Sequence, residues 1–141
     1  MSAGMCYDAR ALPRKQQISK PRWKQWIELI LNSGGKFGLS KACIVKNSGD
    51  IVASVVDLEI HLQEFQDLYK AFNCTNTDVV RIGGITYCVK SQNGKQMIAF
   101  NGGKYVIITR SKTLFIISIC TCKNKLDLAA AWLQRIGDSI D

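Results

Sequence analysis

The sequence predicts an α+β domain: a central antiparallel β-sheet flanked by helices, with the N- and C-terminal helices on the same face. Three observations predict it. Apolar residues recur at helical spacing at both ends of the chain and once between them. Two apolar runs flank the turn Asn47-Ser48-Gly49-Asp50, the signature of a hairpin. The second half then carries successive apolar runs separated by short polar or glycine-rich turns. A chain of 141 residues suits one domain built on one core.

Taken in order, residues 1–20 lack periodicity and are polar and basic, and read as a flexible extension preceding a folded domain over 21–141. Pro21 suits the first turn of a helix, with Ser19 or Lys20 near the cap. Trp23, Trp26, Ile27, Ile30 and Leu31 then mark one helical face, and Asn32-Ser33-Gly34-Gly35 ends it. Ala42 to Val45 is apolar at successive positions, as a central strand covered on both faces requires. Ile51 to Val56 returns as the second arm of the hairpin. Asp57 to Phe72 reads as a helix, with Leu58, Leu62, Phe65, Leu68, Tyr69 and Phe72 at helical spacing, and Asn73 to Asp78 breaks it. A meander follows: Ile85–Lys90, a turn at Asn93-Gly94, Gln96–Phe100, a turn at Gly102-Gly103, Lys104–Arg110 and Leu114–Thr121. Leu126 to about Gly137 closes the chain as a helix.

Composition excludes several classes. The six cysteines show no repeated spacing, and Cys43, Cys88 and Cys120 lie within apolar runs, where a reduced thiol acts as a small hydrophobe. Metal ligation needs paired cysteines or Cys/His clusters, but Cys120-Thr121-Cys122 has no second pair and His61 is the sole histidine. No metal or cofactor is expected. There is no phosphate loop, no nucleophile elbow and no base beside a thiol, so the residues do not describe an enzyme. His61 reads as a surface or partly packed residue of the middle helix. The N-terminus lacks a long apolar stretch and no segment reaches membrane-span length, which implies a cytosolic protein. The net charge of +8 leans toward anionic partners, or serves solubility alone.

All three tryptophans fall in the two terminal helices. Leu126, Ala129, Ala130, Leu133, Ile136 and Gly137 form the inward stripe of the last helix, and Trp132 points roughly 100° from its centre. Side by side, the helices would place Trp132 with Trp23 and Trp26. The outcome is either a buried seam or an aromatic cleft. Such clefts bind proline-rich segments, because pyrrolidine rings stack on flat aromatics and indole N–H groups donate to the segment's free carbonyls.

The motifs also resemble a known family. Trp23-Lys24-Gln25-Trp26-Ile27 is similar to the Trp-x-x-Tyr helix that opens profilins. Ala42-Cys43-Ile44-Val45 with Gly49-Asp50-Ile51-Val52-Ala53-Ser54 resembles their first hairpin, and Glu64-Phe65 with Leu68 and Phe72 their second helix. Gly84-Ile85-Thr86-Tyr87-Cys88-Val89-Lys90 and the run Ile107 to Ile117 around Lys112-Thr113 resemble their strands. Leu128-Ala129-Ala130-Ala131-Trp132-Leu133 resembles the closing helix. Trp26 stands where the family generally has tyrosine, and Val52 where it generally has another tryptophan. The resemblance implies polyproline binding by Trp23, Trp26 and Trp132. It implies monomeric-actin binding by Lys90, Lys104, Arg110, Lys123 and Asp127, on an edge made by the meander and the start of the last helix. Basic side chains there suit an acidic partner, and anionic phosphoinositides are a further implied ligand. Two contrasting readings remain: a roadblock- or longin-like platform for small GTPases, and a phosphoinositide- or nucleic-acid-binding module driven by charge. Nucleic acid is not the expected partner.

Overall fold

A strand with apolar residues at successive positions must be covered on both sides, and the run at Ala42–Val45 is. The computed structural model describes residues 19–55, 58, 60–73 and 77–140. The helices are α1 (Ser19–Gly34), α2 (Leu62–Phe72) and α3 (Leu126–Ile140). The strands are β1 (Leu39–Lys46), β2 (Ile51–Ser54), β3 (Val79–Ile82), β4 (Ile85–Gln92), β5 (Gln96–Asn101), β6 (Lys104–Arg110) and β7 (Leu114–Cys120). They form one seven-stranded sheet in the order β2-β1-β7-β6-β5-β4-β3, antiparallel at every step.

Alternation along the central strands divides the core into two layers. Cys43, Val45, Val106, Ile108, Phe115 and Ile117 point to one side, where α2 covers them with Phe65, Leu68 and Phe72. Phe115 is boxed edge-on by Phe65 at 5.4 Å and Phe72 at 5.3 Å, an arrangement that suits the positive edge and negative face of the rings. Ala42, Ile44, Ile107, Leu114 and Ile116 point to the other side, under Ile27 and Ile30 of α1 and Leu126, Ala129, Leu133 and Ile136 of α3. The terminal helices therefore share a face, as expected. Gln96 pins α3 to the sheet, its side-chain amide donating to Thr109 Oγ1 at 3.0 Å and to the Ala130 carbonyl at 2.8 Å.

The structure corrects several sequence expectations. The middle helix begins at Leu62, not Asp57: Leu58 and Ile60 are buried but lie outside any helix, and Leu62 is exposed. His61 caps that helix from outside instead of lying within it. The reason is local: Glu64 turns back to accept the His61 backbone N–H at 3.1 Å, which fixes the helix start there. Strand β3 was missed, because four residues with only Val80 and Ile82 buried carry too short a pattern. Cys88 is exposed, not part of the core, since alternation sends its neighbour Tyr87 inward. The basic extension, Cys6, Cys74 and the end of the predicted second strand at Val56 lie outside the described residues, except that Ser19 and Lys20 open α1.

Among the described residues, two enclosed polar atoms lack a hydrogen-bond partner, Asn47 Oδ1 and Ser118 Oγ. Ser118 is fully buried on β7, and its Oγ makes no hydrogen bond among the described residues. An unpaired buried hydroxyl carries a desolvation cost of about 1–3 kcal/mol. Ser118→Ala should therefore raise stability by about 1 kcal/mol, read as a higher midpoint in chemical denaturation.

Candidate functional site

Directly paired residues of an antiparallel sheet point to the same side. One cross-strand row runs Val79, Cys88, Phe100, Tyr105, Cys120 and Leu39. Its far end lies under the terminal helices, with Leu39, Tyr105 and Cys120 buried. The near end is uncovered: Phe100 is 39% exposed, Val79 52%, and Cys88 is exposed. Phe100 packs on Tyr105 with ring centroids 6.2 Å apart, and the Lys90 ammonium sits 5.8 Å from the Tyr105 ring. Beyond α3, the sheet thus presents an apolar strip on β3–β5 with a cation beside it.

The five residues implied to bind actin do not all meet on this surface. Lys90 does. Lys123, in a single 3-10 turn after β7, and Asp127, in the first turn of α3, are exposed at the same end of the sheet, because Cys120 at the end of β7 pairs with Tyr105. Lys104 and Arg110 point to the other side, sharing the parity of Val106 and Ile108 on β6. Lys104 borders a cavity there. Arg110 lies at the far end of the strand, its guanidinium 5.5 Å from the Tyr69 ring and 5.7 Å from the Phe115 ring, with a 3.5 Å contact to Asn73 Oδ1. The residues that sequence reasoning missed are Phe100, Cys88 and Val79. Their signal is that no helix among the described residues covers that side of β3–β5, which only the topology reveals.

The tryptophans do come together. Trp23, Trp26 and Trp132 are all half-buried against the cluster that joins α1, α3 and the sheet, and Val52 packs on the same cluster. Trp132 is turned inward: its indole N–H donates to the Ile30 carbonyl of α1 at 3.4 Å. Gly34 permits this approach, since a Cβ there would lie 3.1 Å from Trp132 Nε1 and 2.5 Å from Leu39 Cδ1. Arg135 stands 5.9 Å from the Trp132 ring. Buried seam and exposed cleft are thus combined, and the Trp132 N–H expected to meet a peptide carbonyl already has an acceptor.

The thiols behave as core atoms where they are buried. Burial pushes the Cys43 thiol up to about 12, so it stays protonated and unreactive. Cys120 is raised mainly by burial, and its Sγ lies 3.5 Å from the Phe37 and Cys122 carbonyl oxygens. Among the described residues no group of three or more His, Cys, Asp or Glu is placed to hold a metal ion, and no helix is long and apolar enough to cross a membrane.

Known proteins place this architecture. No protein of curated function matches the sequence. Among solved structures, Acanthamoeba castellanii profilin IB is similar with a TM-score of 0.73 at 15% identity, over 84% of this chain and 95% of that one. Schizosaccharomyces pombe profilin gives 0.72 at 19% identity over 84% and 95%. A LokiProfilin1/rabbit actin complex structure gives 0.72 at 17% identity, over 91% of this chain and 96% of that one. Identities this low establish the fold. The sequence model of the profilin family itself matches residues 21–140, from the first turn of α1 to the last residue of α3, and the chain belongs to the profilin family.

Proposed function

We propose that this protein binds actin monomers and controls their supply for assembly, without chemistry of its own. The observation that carries the reading is the uncovered strip of Val79, Cys88 and Phe100, with Lys90 beside it and Lys123 and Asp127 at the same end. An apolar centre with a charged rim is how protein interfaces are built. Two similar structures, of LokiProfilin1 and LokiProfilin2, were solved in complex with rabbit actin, which supports the same partner class here. Basic side chains at the rim suit an acidic partner and would speed encounter more than they deepen affinity. Actin and reduced thiols both belong to the cytoplasm, which is the compartment this proposal assigns to the protein. Family membership leaves the small-GTPase platform without support.

The test is a titration with monomeric rabbit actin, followed by tryptophan fluorescence and by sedimentation of the complex. Binding at tens of micromolar or tighter, about 6 kcal/mol or more, is expected. No binding at about 100 µM would remove the reading.

Proline-rich segments are proposed as a second partner, at the α1–α3 seam. Half-exposed Trp23, Trp26 and Trp132 support it. Because the Trp132 N–H is engaged and Val52 is small, the site should grip a proline peptide loosely. A decaproline titration should saturate only in the high-micromolar to millimolar range, about 4–6 kcal/mol, and Trp26→Ala should abolish it. A response that survives Trp26→Ala would place the peptide elsewhere. Anionic phosphoinositides are a further proposed partner of the basic surface, with an affinity that falls as salt rises.

A further inference from the structure

On the α2 side of the sheet, away from the strip described above, lies a cavity of about 180 Å³. Its wall includes Lys41 of β1, Ile82 of β3, Tyr87 of β4, Lys104 of β6 and Ile119 of β7. Register brings these together: Lys41 pairs with Ile119, and both share the parity of core residues on that face.

Three features of the cavity are unusual for a gap between core residues. Tyr87 is only 2% exposed, yet its hydroxyl has no hydrogen-bond partner among the described residues. A buried hydroxyl normally has one. The hydroxyl is not sealed off, since it is absent from the fully enclosed unpartnered atoms, which are those of Asn47 and Ser118. Lys41, half-buried, and Lys104, exposed, line the same small space, and neither has a hydrogen-bond or ion-pair partner among the described residues. Two cations facing one partly enclosed volume repel, and an anion between them relieves that repulsion. Ile82 and Ile119 complete the wall with apolar surface.

We propose that this cavity binds a small amphipathic anion: an apolar body of about one ring or a short chain, carrying a phosphate or carboxylate. Lys41 and Lys104 would hold the charge, and the Tyr87 hydroxyl would donate a hydrogen bond to it. Burial raises the Tyr87 phenol above its ordinary pKa, so the donor proton is retained at neutral pH. The volume limits the ligand, because pockets for drug-sized molecules run from about 300 Å³ upward. The site does not depend on actin binding.

The test is an NMR titration of the ¹⁵N-labelled full chain with phenyl phosphate, benzoate, benzyl alcohol and inorganic phosphate. Phenyl phosphate or benzoate should saturate at or below the millimolar range, moving the amides of Lys41, Tyr87, Lys104 and Ile119. Benzyl alcohol, which has the ring without the charge, and inorganic phosphate, which has the charge without the ring, should bind at least tenfold more weakly. Tyr87→Phe and Lys104→Gln should each weaken phenyl phosphate by fivefold or more with an unchanged thermal midpoint, since neither removes an internal hydrogen bond. The proposal fails if inorganic phosphate or benzyl alcohol matches phenyl phosphate, if shifts spread evenly over surface lysines, or if Tyr87→Phe leaves the affinity unchanged.

Discussion

Phe100→Asp should reduce actin-monomer affinity by a hundredfold or more while leaving a folded protein. Phe100 sits where the uncovered strip meets the covered part of the row, between Cys88 on β4 and buried Tyr105 on β6, with 39% of its own surface exposed. A large aromatic in an interface contributes on the order of 2 kcal/mol when buried by a partner. Aspartate removes that contribution and places an unpaired carboxylate in the same desolvated spot, adding a few kcal/mol more. Together these exceed about 3 kcal/mol, or roughly a hundredfold. The fold loses less: the Phe100–Tyr105 ring contact and some strand preference, about 1–2 kcal/mol in all. The measurement is the actin titration repeated on the variant, with circular dichroism confirming a cooperative melt. Lys104→Glu serves as the contrast, because Lys104 faces the α2 side and its reversal should move actin affinity far less. Equal losses from the two variants, or none from Phe100→Asp, would show that actin docks elsewhere.

How far the sequence disclosed this site depends on which residues can be assigned a side without the fold. Ala42–Val45 reads as a doubly covered strand because every position is apolar, and it is one. The tryptophan stripe on α1 and the offset of Trp132 on α3 follow from helical geometry, and both led to the seam that forms. On β6, by contrast, Tyr105 to Thr109 are all buried, so alternation cannot say which helix layer Lys104 and Arg110 face. Both side chains point to the α2 layer, and five residues linked by resemblance divide between two sides of the sheet. Phe100 illustrates the converse. An aromatic at the end of an apolar run looks like core, and only the position of α3 over β6 and β7 leaves it uncovered. The Tyr87 cavity was invisible for a similar reason: its two lysines are separated in sequence by more than half the domain and meet only through strand register.

Glu64→Ala should be among the most damaging single substitutions in this chain, although the residue touches neither proposed partner surface. Glu64 is 7% exposed, and its carboxylate accepts three backbone N–H groups: Gly84 at 2.7 Å, Gly83 at 3.0 Å and His61 at 3.1 Å. Gly83 and Gly84 form the β3–β4 turn with φ of +61° and +81°, a pair of left-handed residues that glycine adopts without strain. Their two N–H groups converge on the Glu64 carboxylate, so one side chain both starts α2 and fastens it to the edge hairpin. Hydrogen bonds to a charged acceptor contribute about 1.5–3 kcal/mol each. The turn is open enough for water to replace part of that, which leaves a net loss of about 3 kcal/mol for the alanine variant. Glu64→Gln keeps one carbonyl oxygen as an acceptor and should lose roughly half as much. For a domain of this size, about 3 kcal/mol corresponds to a thermal midpoint lower by about 10 °C. Hydrogen exchange locates the effect: the amides of Gly83, Gly84 and the first turn of α2 should lose protection before those of β6 and β7. If the alanine variant melts within a degree or two of the parent, the turn is held by its own glycines and the carboxylate is dispensable.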